Sequence, residues 1–256
     1  MKLVQPKPIY ILWLREMKTF VRAKSRVIGS LLMPILFLGF LGSGFAGVIL
    51  PGLPSGVTYL QFLVPGMIGM TIIFSSMFAG MSVLWDRQFG FLKEIMVTPV
   101  SRVTIVLGRI AGGATTSVIQ AVAILILSLF LGFQISGASG LLLALVFMVM
   151  VAISFIGLGL AIASRLKDMQ GFGLIMNFIM FPLLFLSGAI YPMENLPSVI
   201  SWVGYINPLT FGIDGMRGAL IGASSLPLMV DFGVLVVFCA AMVFLGAYLF
   251  EKSEAV

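Results

Sequence analysis

The stretch Trp85–Arg102, WDRQFGFLKEIMVTPVSR, breaks in between two long apolar runs, and its reading decides the fold. Asp86, Arg87, Lys93, Glu94 and Arg102 stand within it. Phe89, Leu92 and Met96 recur at helical spacing and so share one face. Thr98-Pro99 then reads as a stop and a restart. Pro99 lacks the N–H and clashes with a preceding helical turn, yet it suits the first position of a new helix capped by Thr98. The pattern predicts a short, charged, amphipathic helix held across the mouth of a membrane bundle.

Outward from this island the chain is apolar. Of 256 residues, 60% are hydrophobic and only 9% are charged, against about 25% charged in soluble domains. The class is an all-α integral membrane protein. There is no histidine, which excludes a Ser-His nucleophile, an imidazole metal site and an imidazole proton relay. With no clustered mid-span acids either, no catalytic residues and no metal site are expected. The single cysteine, Cys239, lies in an apolar run, reads as a small buried residue and leaves no intramolecular disulfide to form. A net charge of +6 would suggest nucleic acid in a soluble protein; here the placement of the charges matters more than their sum, and no nucleic acid is expected as a partner. No cleavable signal peptide is expected, since no export-type apolar region follows the basic start within the first twenty residues.

Residues 1–26 form a basic arm, with Lys2, Lys7, Arg15, Lys18, Arg22, Lys24 and Arg26 against one acid, Glu16. Ile9, Trp13, Met17 and Phe20 fall on one helical face; Arg15, Lys18, Thr19 and Arg22 lie away from it. That is the pattern of an amphipathic interfacial helix on anionic lipid. Residues 27–250 then hold six predicted spans, each near the roughly 20 apolar residues that a bilayer requires: Val27–Leu50, Tyr59–Leu84, Val103–Leu131, Leu141–Ala163, Gly171–Ala189 and Leu228–Phe250. Pro34 is expected to kink the first, and Gly112-Gly113 to make the third flexible. Arg109 is expected to snorkel from the third span to the surface. The methionines of the second span (Met67, Met70, Met77, Met81) and the glycines of the first suit either plain lipid-facing or packing roles or the lining of a dimer interface or an adaptable substrate path. Gln120 and Asn177 are expected to hydrogen-bond between helices.

Residues 191–227 are broken by Pro192, Pro197, Pro208 and Pro227 and hold Glu194, Asp214 and Arg217. Two helices too short to span fit there, one opened by Pro197 and one capped by Asn207 with Pro208 at its first position. They read as re-entrant half-helices on the outer side, tolerated where protein covers their backbone. Asp214 and Arg217, three apart, face each other either as a gate or as a structural ion pair. Residues 251–256 are a polar tail. With both termini cytoplasmic, every Lys and Arg except Arg217 falls inside, as the positive-inside rule requires. The island, residues 85–102, then lies in the cytoplasm between spans two and three.

The later motifs carry a resemblance. Leu186-Ser187-Gly188, Tyr191-Pro192, Leu196-Pro197, Asn207-Pro208-Leu209-Thr210 and the spaced Asp214 and Arg217 resemble the signature of type-2 ATP-binding-cassette (ABC) exporter permeases. So do Asp86, Arg87, Gly90 and the closing Pro99-Val100-Ser101-Arg102 of the island. The likeness covers nearly the whole chain and is nearest the daunorubicin-resistance type. Many relatives place an acid three residues after the loop glycine; here that position is Lys93 and the acid is Glu94. The resemblance implies a permease dimer, of two identical or related chains, in the cell membrane, working with two copies of a separate ATPase. ATP and Mg²⁺ would bind that partner and no cofactor this chain. No GxxxxGK[ST] phosphate loop occurs in the sequence. The island would be the coupling helix, docked in a groove of the ATPase through Phe89, Leu92 and Met96 and flanked by Asp86, Arg87, Lys93 and Glu94, with Gly90, Pro99 and Arg102 shaping it. Pro192, Glu194, Pro197, Asn207, Pro208, Asp214 and Arg217 would form an exit gate.

The function expected is ATP-driven export of a hydrophobic or amphipathic substrate, such as a drug or lipid. Export of a lipid-linked polysaccharide is the alternative within the class. An ion-coupled secondary transporter is the alternative outside it, disfavoured because all nine Asp and Glu lie in loops or near span ends. The sequence does not name the substrate.

Overall fold

Local start signals mark several of the helices. A computed structural model describes residues 5–42, 44–45, 52, 56–91, 94, 97–98, 100–166, 168–195 and 197–252. Helices α1 (Pro6–Arg22) and α2 (Lys24–Phe37) are followed by a π-helical turn, Leu38–Gly42. Then come α3 (Tyr59–Gln88), α4 (Arg102–Phe130), α5 (Ala138–Arg165) and α6 (Met169–Phe185). A 3₁₀ turn at Met193–Asn195, α7 (Ser198–Ile206), α8 (Pro208–Ile221) and α9 (Leu228–Lys252) complete the order. Thr58 and Gln61 close a capping box on α3, each accepting the other's backbone N–H, at 3.3 and 3.0 Å. Asp168 caps α6 and Asn207 caps α8, the latter accepting from the Leu209 N–H at 3.0 Å. The predicted cap at Thr98 gives way to Ser101, which accepts from the Thr104 N–H; α4 therefore begins at Arg102, and Thr98 lies in a bend before it.

The fold is all-α and membrane-embedded in composition. Helices α3, α4, α5 and α9 are each long and apolar enough to cross a membrane. A fifth crossing is possible where α1 and the helical run Val27–Gly42 meet at a 67° bend. Of the six expected spans, the second, third, fourth and sixth match these full-length helices. The fifth is the 17-residue α6, about 25 Å at the α-helical rise. The first begins with α2, and part of it lies outside the described residues. Pro34 stands within α2 and Leu38–Gly42 follows as a π-helical turn, a local loosening of the ladder.

The centre of the bundle is the pair α3 and α5, with α8 wedged against both and against α9. Every residue of α8 from Leu209 to Arg217 is buried. A short helix buried on all sides needs contacts at which one partner lacks side-chain bulk. Gly215 faces the ring of Phe147, and Gly140 lies on the Ala219 carbonyl. Helices α5 and α9 approach as closely: a Cβ on Gly157 would meet the Met242 carbonyl oxygen at 2.8 Å, and one on Gly246 the Gly157 carbonyl oxygen at 2.9 Å.

Two further expectations change here. Gly112-Gly113 is no hinge. Helix α4 runs through it unbroken, and Gly112 instead admits the arm: a Cβ there would lie 2.6 Å from Glu16 Cβ. Helix α1 lies lengthwise along α4, from the Gln5 N–H on Thr104 Oγ1 to the Trp13 indole N–H on Thr115 Oγ1. Its apolar face, Ile9, Trp13, Met17 and Phe20, is the partly buried one, and Lys18 and Arg22 stay exposed. Gln120 makes its interhelical bond, accepting from Ser30 Oγ at 3.2 Å. Asn177 does not; it is exposed on α6 and makes no such bond to a described residue. Cys239 is a free thiol on α9, only half-buried.

The turn after α6 is set by one contact. Gly66 of α3 lies against the Ala189 backbone, so any side chain at that point would collide with it. Tyr59 Oη donates to the Ile190 carbonyl at 2.9 Å beside it. Gly66→Ala is expected to cost about 1–3 kcal/mol by overpacking. Gly233→Ala, where a Cβ meets nothing within 4 Å, should leave stability unchanged or slightly raised. Thermal unfolding of the purified protein in detergent distinguishes the two.

Candidate functional site

Chemistry-bearing side chains gather at the two ends of the bundle. At the island end, α3 carries Asp86 in its last turn, where the side chain is buried. Arg15 of α1 donates to both carboxylate oxygens, at 2.5 and 2.9 Å. Arg109 of α4, itself buried, also donates to Asp86, and its other terminal nitrogen reaches Ser82 Oγ at 3.3 Å. One carboxylate thus ties three helices. Arg109 does not snorkel outward as expected. A guanidinium held among packed helices is cheaper beside a buried carboxylate than stretched past its neighbours. The Arg15 guanidinium also lies 4.0 Å over the ring of Phe91, which brings the arm onto the island itself.

The other island charges divide between inward and outward roles. Arg87 donates to the Leu166 carbonyl at 2.9 Å, pinning the turn between α5 and α6. Arg102 donates to the Glu251 carbonyl at the end of α9. Gly90 turns the chain at φ +77°, a left-handed backbone where a side chain is strained. Beyond it Phe91, Glu94 and Val97 are helical. Phe89 is 83% exposed and Val97 85%, with Glu94 exposed between them. Leu92, Lys93, Met96 and Pro99 lie outside the described residues. Of the described candidates, Asp86, Arg87 and Arg102 therefore hold the protein together, and Phe89 and Glu94 face outward. Sequence reading missed Arg15, Arg109 and Phe91 as members of this cluster. The available signal was Arg109 itself, a cation inside an apolar helix that requires a counter-charge.

At the far end, α8 brings Asp214 and Arg217 to 3.7 Å, both buried. Asp214 accepts from the Ser225 N–H at 2.9 Å and the Leu226 N–H at 2.8 Å, and so holds the turn before α9. Arg217 donates to the Gly188 carbonyl at 2.9 Å and lies 3.9 Å over the Phe62 ring. Asn207 donates to the Leu183 carbonyl at 2.6 Å. The ion pair thus joins the turn after α6, the first turns of α3 and the α8–α9 turn. It borders a cavity of about 240 Å³ lined also by Pro192, Glu194, Tyr205 and Thr210. Pro197 opens α7 and Pro208 opens α8, as their positions predict. Missed by sequence reading was Asp231 in the first turn of α9, fully buried with neither carboxylate oxygen partnered among the described residues.

Two polar clusters at opposite ends of an apolar helical bundle define a multi-pass membrane protein; among the described residues no group of three His, Cys, Asp or Glu is placed to hold a metal. The chain belongs to the ABC-2 type transporter family, whose profile matches residues 7–221. It is similar to the inner membrane transport permease YadH of Escherichia coli (strain K12), 28% identical over 250 residues, which span 95% of this chain and 94% of the relative. Nodulation protein J of Rhizobium leguminosarum bv. viciae is 26% identical over 229 residues, 88% of this chain and 87% of the relative. The putative transport permease ycf38 of Cyanophora paradoxa is 29% identical over 206 residues, 78% and 70% of the two chains. The chain is a membrane permease of the ABC transporter class, and that class works with an ABC ATPase.

Asp86→Asn leaves Arg109 buried without its counter-charge and is expected to cost about 3–5 kcal/mol of stability. Arg15→Met removes a partner that is partly exposed and is expected to cost clearly less. Chemical denaturation of each variant in detergent, followed by tryptophan fluorescence, gives the comparison.

Proposed function

We propose that this protein is the membrane subunit of an ATP-driven exporter that moves a hydrophobic or amphipathic substrate out of the cell. Two permease chains, identical or related, would pair with two copies of a separate ATPase, which alone binds ATP and Mg²⁺. Both termini and the island lie in the cytoplasm, and the chain sits in the cell membrane. The lopsided distribution of Lys and Arg supports that orientation. Residues 1–26 serve as the arm, 27–250 as the transmembrane unit and 251–256 as the tail, with residues 191–227 as an extracytoplasmic re-entrant element.

The observation that carries the proposal is Phe89. A large aromatic ring stands 83% exposed beside Gly90, at the end of a helix otherwise buried in the bundle. An exposed ring at such a junction suits a groove on a partner, with Glu94 beside it to set register. Directly behind it Asp86 holds Arg15 and Arg109. A displacement of the docked island therefore reaches α1, α3 and α4 together, through charge-assisted hydrogen bonds rather than through a flexible loop. At the far end Asp214 and Arg217 tie α8 to the turns around it, and relative motion of α3 and α8 would open or close the cavity there. That arrangement supports the gate reading, and the same pair holds the turns in place.

A lipid-linked polysaccharide is the second cargo to consider, favoured by the hydroxyls of Ser187, Tyr205, Thr210 and Ser224 on the outer cavity wall. The test is reconstitution. Permease and cognate ATPase in liposomes should export substrate only with ATP, and the permease alone on an ion gradient should move none; transport without the ATPase would sink the proposal. Phe89→Asp is expected to lower ATP-dependent export about tenfold or more while the permease inserts normally, because a charge in an apolar groove forfeits the docking contact. Normal export by that variant would place the docking face elsewhere.

A further inference from the structure

One cluster is used by neither end of the bundle. Glu16, the arm's one acid, points into an open cleft between α1, α3 and α4, lined also by Phe20, Ser75, Phe78, Thr116 and Gln120. Ser75 lies eleven residues before Asp86 on α3, about 16 Å deeper into the bundle at the α-helical rise. This is a carboxylate beside the apolar part of the molecule, not one in a loop. Among the described residues Glu16 has no hydrogen-bond or ion-pair partner. Its neighbour Arg15 is committed to Asp86. The residues three and four positions away on its own helix are Trp13, Thr19, Leu12 and Phe20, none of them cationic. Those facing it from α3 and α4 are hydroxyl, amide and aromatic groups. A carboxylate in such a setting calls for a cation.

The other walls ask for the same thing. Thr116 spends its hydroxyl proton on the Gly113 carbonyl at 2.9 Å, which leaves its oxygen as an acceptor toward the cleft. Ser75 Oγ is likewise engaged with the Ile72 carbonyl at 3.0 Å and Ser117 Oγ at 2.6 Å. Gln120 spends its carbonyl oxygen on Ser30 and is the one lining residue with amide N–H donors to spare; the carboxylate and the hydroxyl oxygens are acceptors, and an ammonium brings three donors, no acceptor and the opposite charge. Phe20 and Phe78 flank the mouth and offer ring faces to a cation and apolar surface to whatever it is attached to. The cleft admits about 20 Å³, room for one water-sized group. That accommodates a primary ammonium and refuses a bulky quaternary one.

We propose that this cleft binds the ammonium head of an amphipathic amine, with Glu16 as counter-ion and the apolar tail lying outward past Phe20 and Phe78. The proposal rests on the exporter reading and narrows its substrate class to lipophilic primary amines, met from the arm side of the bundle.

The probe is a dansylated alkyl chain ending in a primary amine, titrated into the full-length permease in lipid nanodiscs without nucleotide or ATPase. Saturable dansyl fluorescence is expected. Glu16→Gln should weaken binding about tenfold or more, the scale of a lost charge-assisted hydrogen bond, and Glu16→Asp should largely retain it. The same probe acetylated on its amine should show no saturable signal, and its trimethylammonium form should bind more weakly than the primary amine. Should Glu16→Gln fail to fold, Thr116→Val carries the test, with a several-fold loss expected. Unchanged affinity in Glu16→Gln, or equal binding of the acetylated probe, overturns the proposal. Because no ATP is turned over, that failure is separate from failure of the exporter reading, which shows in ATP-dependent export.

Discussion

Burying charge in a low-dielectric bundle is the constraint on which the rest of the molecule depends. An unpaired guanidinium among apolar helices costs several kcal/mol, so Arg109 requires an acid at its level. Asp86 supplies it and takes a second arginine from the arm. The cluster fixes how α1 and α4 sit against α3, and so how the island emerges from the bundle. Asp214 and Arg217 solve the same problem at the far end, with further hydrogen bonds to backbone N–H and C=O groups of two turns. Between these ends the helices are held by apolar packing and close backbone approach.

That close approach places α8. A helix of this length could not be buried on all sides if bulk stood at Gly140 and Gly69 of its neighbours or at its own Gly212 and Gly215. The glycines admit the backbone of one element against another, and the two polar clusters set their register. The arrangement suits a transporter subunit. Contacts that are tight but few connect the exposed segment near Phe89 to the inner helices, and the cavity beside Arg217 is bordered by the turns after α6 and α8 as well as by α8 itself. Turns are the elements that shift at least cost.

Much of this was legible along the chain. The all-α membrane class follows from composition. The two short helices opened by Pro197 and Asn207-Pro208 fall where the caps put them, because proline and cap residues act within one turn of chain. The family motifs lie in order over most of the length. The partners of the charges were not legible. Asp86 and Arg87 sit in a polar stretch and look available to a second protein, whereas both are turned inward. Arg109 looks able to reach water, whereas the arm and α3 enclose it. Ser101 rather than Thr98 caps α4. Gly112 looks like a hinge and is a contact.

Sequence by itself determined which segments are apolar, where the two short helices after α6 begin, and which few residues carry charge; these depend on neighbours along the chain. Only the tertiary structure decided which charges meet. Arg15 and Asp86 are 71 residues apart in sequence, and Arg217 and Phe62 are 155 apart. No local rule selects such pairs. They form because burying each charge is tolerable only where the fold of the whole bundle brings an opposite charge, a ring face or a backbone carbonyl within reach.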